Sequence, residues 1–361
     1  MGTNGYNTQN TQKAISYQLK GAVLIVTLWI LAILTLLAIS FAHRMRVEVK
    51  LTRFQVDSLR ALYLAKAGIN HAMAELKKDA NEYDSLNEEW NLKKEVGLGK
   101  GRFICQISDE ERKINLNCGT RTVLEKLRGL NVNEGIVSCL IDWRDVDDKE
   151  EYCGAEDKYY QSIGKSYHCK NNPFQSIEEL LLVREVTSEI LYGEDMNNNG
   201  ILDPNENDGD ASFPNDDMDG ELDFGISRYV TVYSTGMVNF NTAEVEVLEC
   251  LPFLDKELAQ GIVDYRDQRE WKYDENECPF PNFKALMNVD EVKNKYDIYK
   301  DKDTPEGKKM QEEYKQLEQD YFTPKSRNFK ITATGIVDKV IRRVTVIFDR
   351  ETEKMKYYRE D

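Results

Sequence analysis

The chain reads as an α+β protein: a long N-terminal helix with an antiparallel β-sheet, and an α-helical domain inserted between the strands. Three observations point there. An uncharged apolar run from Ala22 to Ala42 continues into a helically spaced stretch. Alternating strand patterns stand on both sides of a helical block. Within that block one helix–turn–helix unit is written twice.

The apolar run (AVLIVTLWILAILTLLAISFA) is closed by Arg44 and Arg46. Roughly 20 apolar residues are enough to span a bilayer as one helix. A secretory signal peptide would have a shorter apolar segment, about 7–15 residues, followed by a small-residue cleavage site. Here the small residue, Gly21, precedes the run. Beyond Arg46, Leu51, Phe54, Leu59, Leu62 and Ala65 to Ala67 recur at helical spacing among charged residues, so the helix is expected to continue to about Asp79–Asn81.

Lys20-Gly21 directly ahead of a spanning helix resembles the class III leader of type IV pilins and pseudopilins. That resemblance implies cutting by a prepilin peptidase after Gly21, leaving a mature chain that begins at Ala22. The fifth mature residue, usually glutamate in pilins, is Val26, a departure typical of the K class of pseudopilins. A bitopic protein with an amphipathic stalk is the plainer reading; a pilin spine, half in the membrane and half under a soluble head, is the sharper one. Lys13 and Lys20 face Arg44, Arg46, Lys50 and Arg53 across the span, and charge bias alone would place the large domain in the cytoplasm. The leader pattern places the residues after 43 in the periplasm instead.

The 361 residues allow more than one core. A net charge of −16 argues against a phosphate-binding surface, so no nucleic-acid partner is expected. Seven cysteines are an odd number for an oxidising compartment. Cys153 and Cys169 flank a polar, tyrosine-rich loop and are the candidate disulfide; Cys105, Cys139 and Cys250 sit in apolar elements and read as buried thiols. No cysteine spacing resembles a zinc site, and only three histidines exist.

GLGKG at 97–101, followed by alternating Phe103, Cys105 and Ile107, reads as a hairpin turn into a half-buried strand. The glycine–lysine cluster lacks P-loop spacing. Lys113 to Asp145 is then echoed by Met237 to Arg269: Asn115, Asn117, Leu124, Leu127, Asp142, Arg144 and Asp145 correspond to Asn239, Asn241, Leu248, Leu251, Asp264, Arg266 and Asp267. Each copy continues into a second echo, PFQSIEELLLV at 173–183 and PFPNFKALMNV at 279–289. Asn117 and Asn241 are expected to cap short helices. The whole is a helix-hairpin-helix, or SAM-like, unit used twice. Such hairpins often bind DNA through amides in a glycine turn, but only Gly129 is present and the surroundings are acidic, so a packing module is favoured. The Asp-aromatic-Arg triplets, 142–144 and 264–266, read as helix-end salt bridges. No nucleophile elbow, metalloprotease helix or Walker motif appears, so an enzyme is not expected.

Between the repeats, DMNNNGILDPNE fits a twelve-residue EF-hand loop. Asp195, Asn197 and Asn199 supply positions 1, 3 and 5, and Gly200 turns the chain at 6. Ile201 offers its carbonyl at 7, Asp203 stands at 9 and Glu206 at 12. Hard oxygen donors at alternating positions suit calcium's high coordination number. A degenerate copy follows with Asp217, Asp219 and Asp223; its twelfth position is Ile226, so it needs shared ligands such as Asp208, Asp210 or Asp216. The plain alternative is an acidic, solvated loop.

Alternating strands are expected at 228–236 and again between Phe329 and Glu351, with a solvated Lys/Glu-rich helix or loop from Lys293 to Tyr321. Leader, DEERKINLN, IDWRD, PF-S-EELLLV, the acidic loop, VNFNTA and the late strands together resemble the minor pseudopilin K family of type II secretion, over essentially the whole chain. The resemblance implies a pilin-like fold, calcium near the helical insertion, and anchorage in the inner membrane with the bulk in the periplasm of a Gram-negative-type bacterium. It implies a place at the pseudopilus tip with minor pseudopilins I and J, then minor pseudopilin H and the major pseudopilin G. The expected division is leader 1–21, transmembrane helix 22–42, stalk and first strands 43–110, helical insertion with calcium loop 111–225, and second repeat with C-terminal strands 226–361. Two other readings share features: a membrane-anchored helix-hairpin-helix DNA receptor, and a minor pilin of a type IV pilus.

Overall fold

The structure is a computed structural model describing residues 5–79, 82–127, 134–164, 167–197, 200–209, 211–268, 278–296 and 304–361, with side chains of the first helix described from Val23 onward. Helix α1 runs unbroken from Gly5 to Lys78; its 74 residues make a rod about 110 Å long at 1.5 Å per residue. The Gly21–Ala22 bond falls inside it. From Val23 to Phe54 its large apolar side chains are exposed; from Ala61 onward one face is buried. That face is Ala61, Leu64, Ala65, Ile69, Ala72 and Leu76, recurring every three to four residues with Leu64 and Ala65 adjacent, as one side of a helix allows.

The buried face lies on an antiparallel sheet. Strands β1 (Lys94–Leu98) and β2 (Gly101–Asp109) form the hairpin turned by Gly99 at φ +63°, and the sheet is completed by three strands from the far end of the chain. With the short strands of the helical block counted in chain order, these are β7 (Asn328–Val337), β8 (Val340–Asp349) and β9 (Lys354–Glu360), in the order β1-β2-β7-β8-β9. Phe103, Cys105, Ile107, Ile331, Ala333, Val344, Val346 and Phe348 alternate inward against α1. The helix approaches closely because its contact residues are small: a Cβ on Gly335 would stand 1.9 Å from the Ala61 carbonyl oxygen, and one on Gly68 would stand 2.9 Å from the Ala333 Cβ. Strand β9 is an addition to the sequence reading. It is a charged, exposed edge (KMKYYRE) without an apolar face to announce it.

The helical block has its own continuous core, from Ile114 to Phe322. Its first unit holds β3 (Ile114–Asn115), α2 (Arg121–Leu124), α3 (Glu134–Arg144), α4 (Asp157–Ser162), a 3₁₀ turn at Ile177–Leu182 and α5 (Ser188–Tyr192). Strand β4 (Val230–Thr231) follows, then the second unit: β5 (Val238–Asn239), α6 (Val245–Cys250), α7 (Lys256–Arg266), a 3₁₀ turn at Phe283–Asn288, α8 (Asp290–Tyr296), α9 (Pro305–Gln316) and β6 (Phe322–Thr323). The duplication is structural: α3 and α7 are each 11 residues, and β3 and β5 each pair in parallel with a two-residue strand.

Several local expectations are corrected. Only Val230–Thr231 of the 228–236 segment is strand, because it pairs with no more than the two residues of β3. The Lys293–Tyr321 stretch is not merely solvated: α9 buries Tyr314 against Phe283 at 4.6 Å between ring centroids, with Tyr296 and Leu317 also buried. Thr120 and Glu244, not Asn117 and Asn241, precede the short helices as N-caps. Cys105, Cys139 and Cys250 are buried as expected. Cys153 and Cys169, however, are separate thiols rather than a bridge: Cys153 is exposed, and buried Cys169 directs its Sγ to the Asp142 carbonyl at 3.7 Å.

Candidate functional site

Each repeat is locked by the same side chains. The Asn115 Oδ1 accepts from the Asn117 N–H at 2.8 Å, and the Asn239 Oδ1 accepts from the Asn241 N–H at 2.9 Å. Freed from capping, each second asparagine reaches across to the echo segment: Asn117 donates to the Phe174 carbonyl at 3.0 Å, Asn241 to the Phe280 carbonyl at 2.9 Å. The arginines then close the unit. Arg144 donates to the carbonyls of Leu116 and Gly119, and Arg266 to those of Phe240 and Ala243. The reading of the Asp-aromatic-Arg triplets as paired salt bridges is thus corrected. Arg266 pairs with Asp267 at 3.0 Å, but Asp142 instead accepts the N–H groups of Glu151 and Ala155, while Asp264 accepts from Gln260 at 2.8 Å.

The second hairpin turn faces inward, onto the first repeat. Lys126 Nζ donates to the carbonyls of Glu249, Leu251 and Leu254 at 3.1, 2.9 and 3.3 Å, and Lys295 to that of Phe253 at 2.7 Å. A phosphate-binding turn presents amides to solvent; this one presents carbonyls to lysines of the same chain. Gly129 of the first turn lies outside the described residues.

The joint between block and sheet is the run Asp109-Glu110-Glu111-Arg112, whose role sequence reasoning missed. Asp109 Oδ2 accepts from the Ser326 and Thr242 hydroxyls, both at 2.6 Å, and Glu111 accepts from the Asn328 N–H at 3.0 Å and its Nδ2 at 2.8 Å. Glu110 bonds the Thr231 hydroxyl, and Arg112 pairs with Glu244 at 2.8 Å. Burial pushes the Asp109 and Glu111 carboxyls upward. Four consecutive charged residues ordinarily signal a solvated surface; the dense hydrogen-bonding here is what allows them inside.

The acidic loop leaves α5 at Gly193, where φ is +66° and a Cβ would meet the Asp223 carbonyl at 2.3 Å. A Gly193–Phe224 bridge, with Glu194 N–H to the Asp223 carbonyl at 2.9 Å and Asp223 N–H to Glu194 Oε2 at 3.0 Å, ties its neck. Burial, then the nearby Asp223 charge, raises the Glu194 carboxyl despite that N–H. Within the loop Asp195 and Glu206 are 3 % and 1 % exposed. Asp195 Oδ2 accepts from the Gly200 N–H at 2.8 Å, with Gly200 at φ +69° as position 6 requires. Asn197 donates to Asp203 at 2.8 Å, and Glu206 Oε2 accepts from the Asp203 N–H at 3.0 Å; Glu206 Oε1 is buried without a hydrogen-bond partner. Asn199 and Asp210 lie outside the described residues, and the Ile201 side chain is exposed.

The degenerate copy is arranged differently. Asp217 and Asp219 are exposed and accept from the N–H groups of Asp219 and Glu221, closing small turns on themselves. Asp216 stitches the loop, accepting from Asp208 and Gly209 through one oxygen and from Met218 through the other, all at 2.9 Å. Partial desolvation opposes them, but those N–H groups hold its carboxyl below the usual range. Among the described residues, three acidic ligand atoms come within 4.8 Å of one another not in this loop but at Asp79, Asp84 and Glu88.

A membrane-length spine under an antiparallel sheet, carrying a duplicated helical block, defines a pilin-like α+β protein. Residues 119–192 match the family described as type II secretion system (T2SS), protein K, and residues 234–296 match the helix-hairpin-helix motif. The putative type II secretion system protein K of Escherichia coli (strain K12) is 25% identical over 193 residues, covering 47% of this chain and 59% of that protein. The type II secretion system protein K of Klebsiella pneumoniae is 26% identical over 195 residues, with the same coverages of 47% and 59%. The aligned region thus spans little more than half the length of these relatives. The fold resembles a chain from the crystal structure of the GspK-GspI-GspJ complex of enterotoxigenic E. coli, at TM-score 0.57 and 16% identity, covering 86% of this chain and 99% of that one. The family match, both relatives and the fold likeness agree in supporting a type II secretion minor pseudopilin K.

Proposed function

We propose that this chain is a non-catalytic minor pseudopilin that occupies the tip of the type II secretion pseudopilus, nucleates its assembly with minor pseudopilins I and J, and so supports export of folded proteins across the outer membrane. The minor pseudopilin H and the major pseudopilin G follow below it. The observation that carries this reading is the spine. One helix is apolar and bare over a membrane's length, then buried under a head with two cores, which suits a fibre protein better than an enzyme. Its anchor is the inner membrane, its head is periplasmic, and prepilin peptidase is the expected processing partner.

Val26 supports the tip position. A glutamate inside the bilayer is costly unless a neighbour's charge meets it, and a valine has no need of a neighbour above. The residues of the acidic loop fit calcium: an all-oxygen donor set, a glycine at the turn and a buried Glu206 oxygen without a protein donor. Asp195, Asn197, Asn199, the Ile201 carbonyl, Asp203 and Glu206 would hold it, with Asp217, Asp219 and Asp223 contributing only on rearrangement. Calcium there would order the loop that tops the first repeat.

The test is co-purification of the full-length chain, in detergent, with I-like and J-like pseudopilins against minor pilins of a type IV pilus. Stable capture of I and J is expected. Preferential capture of type IV pilus components would replace this reading with the type IV one. The inward-facing turn clasped by Lys126 disfavours the DNA receptor, and a salt-dependent DNA shift at physiological ionic strength would revive it.

A further inference from the structure

Where α1 ends, three carboxylates converge that the pseudopilin reading does not use. Asp79 follows the last turn of the spine, while Asp84 and Glu88 stand in the segment that enters β1; one oxygen from each lies within 4.8 Å of the others. Asp84 is fully buried. Its Oδ2 accepts from Arg350 Nη2 and the Ser326 N–H, both at 2.6 Å, but its Oδ1 is buried with no hydrogen-bond partner. Asp79 takes the other arm of Arg350 at 2.7 Å. Glu88 Oε2 accepts from the Ser85 N–H at 2.7 Å and Trp90 Nε1 at 3.0 Å.

Three carboxylates face one guanidinium in a place where desolvation is costly for each of them, and one of Asp84's two oxygens has no donor there.

We propose that Asp79, Asp84 and Glu88 form a binding site for a hard divalent cation, pinning the end of the spine to the first segment of the head. The site stands apart from the acidic loop and does not rest on the pseudopilin assignment. Trp90 is its built-in reporter, since its indole N–H contacts a ligand carboxylate.

Full-length protein in detergent is titrated with terbium, reading lanthanide emission excited through tryptophan, and then with calcium. Emission that calcium displaces is expected in the wild-type chain and in Glu206→Gln. Glu88→Gln and Asp79→Asn should each weaken terbium affinity on the order of tenfold or more, because each removes a ligand charge. Trp90→Phe should abolish most of the emission while calorimetry still records binding. Thermal melts of each variant distinguish lost binding from lost fold, and Asp79→Asn, on a partly exposed side chain, serves if Glu88→Gln does not fold. Emission lost in Glu206→Gln but intact in Glu88→Gln and Asp79→Asn would overturn the proposal, as would no calcium-displaceable emission at all, leaving Arg350 as the sole counter-ion.

Discussion

Asn117 holds Phe174 by both of its backbone polar groups: its Nδ2 donates to the Phe174 carbonyl at 3.0 Å and its Oδ1 accepts the Phe174 N–H at 2.7 Å. Between residues 57 positions apart, this clasp fixes the echo segment against the first hairpin. In the second repeat Asn241 likewise donates to the Phe280 carbonyl.

Asn117→Ala leaves two backbone groups to find new partners, and an unsatisfied buried group costs about 1–3 kcal/mol. A loss of that size in urea unfolding of the detergent-solubilised chain, with the denaturant slope unchanged, is the expected result. Asn241→Ala should fall in the same range. A loss near zero in both would show the clasps to be incidental.

Gly335 tests the close approach of helix and sheet. Gly335→Ala drives a methyl into the Ala61 carbonyl and should cost about 1–3 kcal/mol or more, the usual range for overpacking. Gly97→Ala, whose Cβ meets nothing within 4 Å, should change stability by less than about 0.5 kcal/mol. Equal effects at the two positions would contradict the packing described.

Stability should fall as pH rises from about 5 to 8. Burial pushes Asp142 up to about 6 and Glu156 up to about 7, the latter also by the neighbouring Asp142 charge; burial raises Asp109 and Glu111 likewise. A carboxyl with a raised folded pKa binds its proton more tightly folded than unfolded, so its favourable contribution declines between the unfolded and folded pKa. Asp349 acts in reverse. Burial raises it, but the Arg327 fork, the Thr352 N–H and Lys356 outweigh burial and hold it well below the usual range, so its contribution is lost only in stronger acid. Melting temperature should peak near about pH 4–5 and decline above it, and Glu156→Gln should flatten the decline. A melting temperature that climbs steadily from pH 5 to 8 would refute this balance.

Calcium should raise the melting temperature and a chelator lower it. Binding to the native state alone stabilises by about 2.7 kcal/mol at a hundredfold excess over Kd. Magnesium should do much less. Glu206→Gln should remove the share due to the acidic loop, whereas Asp223→Asn should matter only if the second copy shares an ion. If neither substitution changes a calcium-dependent shift, the acidic loop is not its source.

Processing tests the N-terminal reading. In cells with an active prepilin peptidase, intact mass should show a chain beginning at Ala22, and Gly21→Arg should leave the leader attached. A leader retained on the wild-type chain would count against the pseudopilin assignment.

What the sequence by itself determined is what contiguous residues encode. The spine was legible because an apolar run and a helical period are local patterns. The repeats were legible because two segments carry the same asparagines and arginines at matching intervals. The turn of the acidic loop was legible because a glycine at 200 follows a run of Asp and Asn, though not where each carboxylate points. Tertiary structure decided whatever needs distant partners. Asn117 and Asn241 look like helix caps until Phe174 and Phe280 arrive to take their amides. The run 109–112 looks like surface until Ser326, Asn328 and Thr242, up to 217 positions away, bury it. Strand β9 exists only because β8 offers it an edge. Asp79, Asp84 and Glu88 become a cluster only when α1 ends against the strand that delivers Arg350. A hydrogen bond or ion pair depends on distance in space, and separation along the chain does not record it.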